Sequence, residues 1–589
     1  MSDQKNMFLA IILSLVVLLV WQEFYVQPLE EERQRLAQEQ AQIQGQAQGL
    51  NGDRPAVDSA RPAAGPGSVT GGPEAVVGVP AAETATAQTP APRVDIVSSR
   101  LIGSISLRGA RIDDLVLLDY FDEIGDEAEN IHLLKPAGRA DAYYVEMGWT
   151  ARPSVDVLLP GGDTIWRADG TVLSPGRPLT LSYDNGAGLL FTRIFELDEN
   201  FVFTITNRIV NNAAEGVSLS PYGLIVRQGD PDVMDFFVLH EGPLGVFNGT
   251  LDDNDLDYGD LEDEGTIQRQ STGGWMGIAD KYWLTALVPD QNEAFTAHYR
   301  YDQLNGDDRY LVDFVLGERF LAAGSSIAVT GRVFAGAKEV DVINDYAENQ
   351  GIQGFEMAID WGWYPFLTKP IFWTLNLFNG WLGNYGLAIL LLTLLLKMFL
   401  FPLANKSYVA MSKMKKLQPK MAEIKERYKD DKLRQQQETM ALYKNEKVNP
   451  LAGCLPVVVQ IPIFFALYKT LFISIEMRHQ PFFGWIQDLS APDAFTVITL
   501  FGAVPWNAPS LLMVGLWPII MGATMFLQQK MNPQSPDPIQ AKLFMFMPIM
   551  FTFILAPFPA GLVIYWTWNN LLSIAQQYAI MRRMGVKIG

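Results

Sequence analysis

The feature that most constrains this chain is a set of apolar runs near the length of a bilayer crossing, gathered in its last third: residues 385–403, 454–475, 511–527, 543–558 and 561–580. A helix advances about 1.5 Å per residue, so roughly 20 apolar residues carry it across ~30 Å of hydrocarbon with its backbone satisfied internally. Five such runs predict a helical membrane core over 385–580. The runs at 511–527 and 543–558 are short, which predicts local bilayer thinning or snorkelling ends. A sixth run, 7–21, follows Lys5 and precedes Gln22-Glu23, where a cleaved leader would carry small residues. Residues 1–26 therefore read as a retained signal anchor, and the expected fold class is a polytopic α-helical membrane protein of six transmembrane helices.

Charge separates this core from what precedes it. The net charge is -20, yet residues 28–360 hold 53 Asp/Glu against 23 Lys/Arg, and all other positions hold 12 against 22. Residues 27–93 are mostly Gln, Ala, Gly and Pro, too poor in apolar bulk to offset ordering entropy, and predict a disordered linker. Residues 94–345 carry short β-rich runs (102–107, 189–195, 201–210, 282–288 and 327–334) between turn clusters such as Pro160-Gly161-Gly162-Asp163 and Asp184-Asn185-Gly186. Several runs alternate apolar with polar, which predicts antiparallel sheets with one wet face and one large all-β sandwich. At 346–384 the residues Trp361, Trp363, Tyr364, Phe366, Phe372, Trp373 and Trp381 are interleaved with polar ones, which predicts an amphipathic segment lying flat at the interface.

Basic residues set the orientation. Residues 404–450 hold 12 Lys/Arg against 6 Asp/Glu, and the tail, 581–589, adds Arg582, Arg583 and Lys587. Residues 476–510 hold one Arg and three acids. The positive-inside rule then places both termini in the cytoplasm of a bacterium and the acidic domain in its periplasm.

Enzyme chemistry finds little footing. Cys454 is the only cysteine, so no intrachain disulfide or cysteine-cluster metal site exists. Phosphate-loop, H-E-x-x-H and G-x-S-x-G patterns are absent, and no cofactor, metal or enzymatic activity is expected. His132, His240 and His298 in the β domain could pair with carboxylates for acid/base work on a sugar, but three histidines in so long a domain are ordinary.

Polar groups inside the apolar runs say more, because hydrocarbon penalises them and they face protein or a wet cavity. Lys397 is the single charge in 390–400, with Thr393 one turn before it on the same face. Gln460 in the next run, and Trp566, Asn569, Asn570 and Ser573 in the last, can line the same space. The competing reading for Lys397 is snorkelling, since it lies five residues before Pro402. Between the runs, Met414, Leu417, Met421, Ile424 and Tyr428 recur at helical spacing, Asp430-Asp431 breaks the pattern, and Leu433, Met440 and Tyr443 resume it. An antiparallel helical hairpin over 404–450 follows, kinked at Pro419 and strongly basic at Lys413, Lys415, Lys416 and Lys420, suited to anionic lipid or ribosomal RNA.

The segments Lys413-Met414-Lys415-Lys416-Leu417-Gln418-Pro419-Lys420, Ala441-Leu442-Tyr443-Lys444, Asn449-Pro450-Leu451-Ala452-Gly453-Cys454-Leu455-Pro456 and Gln460-Ile461-Pro462-Ile463-Phe464 closely resemble the YidC/Oxa/Albino insertase family in its Gram-negative form. The resemblance implies a five-helix insertase core and a periplasmic β-super-sandwich similar to galactose mutarotases, without sugar turnover. It implies a hydrophilic groove open to cytoplasm and lipid, in which Lys397 stands where the family usually has Arg, a point charge in place of a planar fork. Thr393, Gln460 and Asn570 match groove positions, and Tyr565-Trp566 match aromatics that touch substrate. Implied partners are nascent inner-membrane proteins, membrane lipids, the Sec translocon and the ribosome, with no DNA; the short tail argues against ribosome contact at that end. Two other classes stay open on the residues alone: an anion transporter or channel using Lys397, and a membrane-anchored periplasmic glycan-binding protein.

Overall fold

The computed structural model describes residues 91–586 apart from 126, 232–238, 254–255, 305, 430, 447, 449–454, 500–512 and 533–537. The expected anchor at 1–26, nearly all of the linker at 27–93, Cys454 and Lys587 lie outside the described residues.

Two sheets carry the first domain. In spatial order the larger runs Thr266–Thr272, Ala294–Leu304, Asp307–Leu316, Val217–Gln228, Tyr143–Thr150, Arg111–Phe121, Leu101–Ser106, Arg93–Val97 and Val172–Leu173. Arg319–Leu321 and Asn130–Leu134 pair onto its middle strands. The second runs Thr250–Asp252, Gly242–Phe247, Gly274–Ala279, Trp283–Val288, Ser326–Ala337, Val202–Asn211, Leu189–Leu197, Leu179–Asp184 and Arg167–Ala168. Among the described residues every strand pairing is antiparallel except Arg93–Val97 with Val172–Leu173.

Local sequence explains these strands. Leu189–Leu197 alternates buried and part-exposed side chains, the period-2 signature of a strand with one face in the core. Before it, Gly186 takes a positive φ of 71°, and Asn185 Oδ1 accepts from the backbone N–H of Ala187 (2.9 Å) and Leu189 (3.0 Å), closing the predicted turn. The sheets are tied across the core: Tyr299 Oη donates to the Leu244 carbonyl at 2.9 Å, and the buried Arg193 donates to the Ala110 carbonyl at 3.0 Å.

The helices are α1 (Tyr258–Glu264), α2 (Val340–Glu348), α3 (Pro365–Leu382), α4 (Tyr385–Arg427), α5 (Lys432–Asn445), α6 (Leu455–Ile473), α7 (Leu516–Met531), α8 (Pro538–Ile554) and α9 (Ala560–Arg583). Gly383, at φ 65°, ends α3, and Asn384 caps α4 by accepting from Leu387 N at 3.0 Å. One hydrophobic core continues from Trp275 and Phe334 through Tyr346 and Phe355 to Phe372 and Leu375 of α3, Ile389 of α4, Leu467 and Leu471 of α6 and Leu562 of α9. Each such side chain contributes about 1.5–3 kcal/mol on burial. The loop after α6 docks on the sandwich: Glu476 Oε1 accepts from Val340 N at 2.9 Å, and Arg478 donates to the Asp122 carbonyl at 3.1 Å.

Several expected boundaries move. The span at 385–403 and the first arm of the hairpin are one 43-residue helix, α4, which continues through Pro402 and Pro419. A proline removes a single i→i−4 bond, and the glycine-free, Leu/Met/Lys/Ala-rich flanks keep the helix going. The span expected at 511–527 is helical from Leu516 to Met531, and that at 543–558 from Pro538 to Ile554. The latter ends early because Pro557 disfavours helical backbone at Ala556, and Pro559 then leads into α9. Among the described residues α4 alone is long and apolar enough to cross a membrane; Val458–Ile473 and Ala541–Ile554 are shorter apolar helices. The 346–384 segment is α2, a short 3-10 turn at Phe355–Ala358, and α3, which buries Ile371, Phe372, Leu375 and Phe378 and exposes Phe366, Trp373, Leu377 and Trp381.

Residues 416–450 fall in a different compact unit from the sandwich and the other helices. The predicted break falls after Arg427, and Asp431 caps α5 by accepting from Arg434 N at 3.0 Å. The two arms are antiparallel: Lys420 Nζ lies 2.8 Å from Glu446 Oε1, and Tyr443 Oη donates to Met421 Sδ at 3.3 Å.

Candidate functional site

Lys397 sits on α4 between residues that expose apolar bulk, Leu394, Leu395, Met398 and Phe399. Its own side chain is partly buried and turns toward α9, where Nζ donates to Ser573 Oγ at 2.8 Å. Ser573 Oγ in turn donates to the Asn569 carbonyl at 2.8 Å. Among the described residues no carboxylate pairs with Lys397. This cation is therefore held by a neutral hydroxyl rather than neutralised by a carboxylate.

The other expected residues gather around α9 but look toward different neighbours. Gln460 of α6 donates through Nε2 to Tyr565 Oη. Trp566 packs edge-on against Phe464 of α6, ring centroids 4.6 Å apart, and lies near Phe551 of α8. Asn570 Nδ2 donates to Thr524 Oγ1 of α7 at 3.2 Å. Trp566, Asn570 and Ser573 thus share one helical face, as spacing predicts, and that face meets α4, α6, α7 and α8 in turn. Thr393 is buried but returns its hydroxyl to the Ile389 carbonyl at 2.6 Å, an i−4 bond that leaves no donor for a ligand.

Further polar residues belong to this seam and were not singled out from sequence. Gln577 donates to Asn532 Oδ1 at 3.2 Å, and Ser407, Ser412, Thr524 and Thr567 are buried. Gln577 had a signal, since it continues the Asn570/Ser573 face by one more turn. Thr524 had none, because one hydroxyl in an apolar run reveals its facing only when the opposite helix is known. Trp568 ties α9 to α4 by donating through Nε1 to the Leu390 carbonyl at 3.2 Å.

The four hairpin lysines do not act alike. Lys413, Lys416 and Lys420 are exposed, and Lys420 is engaged by Glu446. Lys415 turns to the Met531 carbonyl at 3.5 Å, near the C-terminal end of α7, where a cation is favoured by the exposed carbonyls. In the β domain each histidine has a local partner: His132 Nε2 and Asp114 Oδ1 are 3.0 Å apart, His298 Nδ1 and Asp313 Oδ2 3.0 Å, and His240 Nε2 and the Pro243 carbonyl 2.9 Å. Four strands separate His132 from His298, so the two His–Asp pairs do not share a site.

A large β-sandwich joined by one core to apolar helices with a lysine-centred polar seam is the build of an integral membrane protein with a folded extramembrane domain. Residues 377–587 match the model for the 60Kd inner membrane protein, and residues 93–374 match that for the YidC periplasmic domain. The chain belongs to the YidC family of membrane protein insertases. Over its whole length it is 50% identical to the membrane protein insertase YidC of Methylorubrum extorquens (strain PA1), of which it covers 96%, and 46% identical to that of Brucella suis biovar 1 (strain 1330), of which it covers 97%. A crystal structure of active YidC insertase with the first transmembrane domain resolved is 20% identical over 82% of this chain and 92% of its own, with a TM-score of 0.36. The transporter and glycan-binding alternatives find no support among these relatives, and the family is one of insertases rather than enzymes.

Proposed function

We propose that this chain inserts nascent inner-membrane proteins into the bilayer and helps them fold, and that it does so through the polar seam centred on Lys397. In this reading six spans cross the bacterial inner membrane, both termini and the hairpin at 404–450 are cytoplasmic, and the sandwich is periplasmic. A hydrophobic segment enters from the cytoplasm, its polar leader pauses beside Lys397, and the segment leaves against the lipid-facing side of α4. Transfer of apolar surface to lipid supplies the driving force, and the membrane potential adds about 2.3 kcal/mol per charge per 100 mV for acidic leaders moving outward. The hairpin lysines receive ribosome-bound chains or anionic lipid, and the Sec translocon is a partner. The exposed face of α3 rests at the outer interface through Phe366, Trp373 and Trp381.

The observation that carries this reading is the Lys397–Ser573 contact, a cation among apolar neighbours held by a neutral hydroxyl. It supports a wet, positively polarised site that a client's acidic or backbone groups can enter without displacing a competing carboxylate. A photocrosslinker at position 460 or 569, in ribosomes stalled on a single-span client, tests it. The expected result is a client adduct from both positions and none from a probe on the sandwich; no adduct from either seam position overturns the proposal.

A further inference from the structure

Where the sandwich, the 360–364 loop and α6 meet lies a half-open cleft of about 460 Å³, within the ~300–1,000 Å³ that small ligands and headgroups occupy. Its wall is mixed. Trp361, Trp363 and Tyr364 supply aromatic faces, Asp253 and Asp360 carboxylates, and Lys469 and His240 basic groups. Asp360 is already ion-paired with Lys469. Asp253 is not: among the described residues no lysine or arginine pairs with it, and burial, reinforced by Asp360 and opposed by His240, pushes its carboxyl above the usual range. Lys281 and Lys338 line a smaller adjoining pocket that Asp253 and Asp360 share, but neither lysine is within ion-pair reach of Asp253 or lines this cleft. Tyr468 lines it too, and its buried hydroxyl has no hydrogen-bond partner, a deficit native proteins rarely leave unfilled.

A carboxylate lacking its cation, beside three aromatic faces, is the chemistry that recognises an ammonium group. Trp363 on the rim is 57% exposed and continues into Phe366, Trp373 and Trp381, the aromatic surface suited to a headgroup layer. We propose that this cavity holds the ammonium of an ethanolamine-type phospholipid headgroup from the outer leaflet. The assignment rests on the proposed orientation, with the sandwich outside. Bound there, the lipid pins the sandwich to the membrane beside α6 and satisfies Asp253. A free amine of the same chemistry would fit the polar half but gains nothing from the aromatic rim.

The full-length protein, reconstituted in vesicles of equal phosphatidylethanolamine and phosphatidylglycerol and extracted gently, would be examined by native mass spectrometry for retained lipid. Roughly tenfold preference for phosphatidylethanolamine is expected, falling to parity in Asp253→Asn and weakening in Trp363→Ala, which lies on the surface and spares the fold. Insertion of a single-span client by Asp253→Asn should stay at the parental level, so loss of lipid preference is read separately from loss of insertase function. Equal retention of both lipids by the parental protein, or unchanged preference in both variants, overturns the proposal. Displacement of the lipid by millimolar soluble phosphoethanolamine overturns its assignment to the membrane.

Discussion

Two buried sites, one in the sandwich and one between the helices, hold charge by opposite means. In the sandwich Arg111 Nε lies 2.9 Å from Glu146 Oε2, both nearly inaccessible, and Tyr222 Oη donates to the other carboxylate oxygen at 2.5 Å. Asp313 is held between Arg300 and His298. In the seam between α4, α6, α7 and α9 hydroxyl, amide and phenol groups meet one another, Lys397 meets a serine and Lys415 a backbone carbonyl. A buried pair is a fixture, because removing one partner strands the other. A cation held by neutral groups remains open to a visitor's charge. The difference teaches that the Arg111–Glu146 pair is built for permanence, whereas the Lys397 site suits the exchange that the proposed function requires.

Breaking the fixture should have the largest effect. Arg111→Ala strands Glu146 and is expected to cost about 3–5 kcal/mol of sandwich stability, seen as early thermal unfolding. The surviving folded protein, assayed cold at matched amounts, should insert clients at the parental rate. If Lys397 were also merely structural, its variants would behave the same way. They should not: Lys397→Ala is expected to lower insertion of a client with a short acidic outer tail at least tenfold, a loss of about 1.4 kcal/mol or more, with little change in melting. Lys397→Glu should be worse and Lys397→Arg close to parental; equal insertion by Ala and Arg variants on every client would remove the contrast between regions.

How far such contrasts were readable from sequence depends on which partner a residue needs. The strands at 102–107, 189–195, 201–210, 282–288 and 327–334 followed from alternation and turns because a strand's face is set by its own period; those such as Tyr143–Thr150, buried on both faces, did not. The helical break near 430 followed from Asp430-Asp431 in the same way. The hairpin's junction with the span did not, because the span was expected to end at residue 403, next to Pro402, and helix-forming flanks carry α4 on without a break. Lys397 was legible as an isolated charge, whereas its pairing with Ser573 required knowing that α4 and α9 are neighbours. Thr524 and the Asp253 cavity are products of tertiary packing alone.

Smaller effects sharpen the comparison. Replacing Lys413, Lys415, Lys416 and Lys420 together with Gln should weaken ribosome co-sedimentation and flatten its salt dependence, the log–log slope falling by up to about 0.7–0.9 for each phosphate no longer neutralised. Sedimentation unchanged at all salts would leave those lysines only the role of topology signal. The smallest effect expected is a pH response where the two regions touch. Burial pushes the Glu476 carboxyl up to about 7, with Glu339 and Asp341 adding to the rise. The folded state then holds this proton more tightly than the unfolded one, so its contribution is fully present below the usual carboxylate range and is lost as pH rises through about 7. Amide protection at Val340, whose N–H meets Glu476, should therefore fall between about pH 5 and 8, and Glu476→Gln should abolish the trend. A pH-independent Val340 in the parental protein would mean that the junction does not titrate.

The seam's four contacts join α9 or its neighbours at separate places: Gln460 to Tyr565, Asn570 to Thr524, Lys397 to Ser573 and Gln577 to Asn532. Each is a single hydrogen bond, worth about 0.5–1.5 kcal/mol net, somewhat more where the ammonium takes part. Under the proposed function a client replaces them one at a time, trading each for a bond to its own backbone or to water. The barrier to opening is then divided into steps comparable with thermal energy, and passage becomes an unzipping whose pace is set by the client.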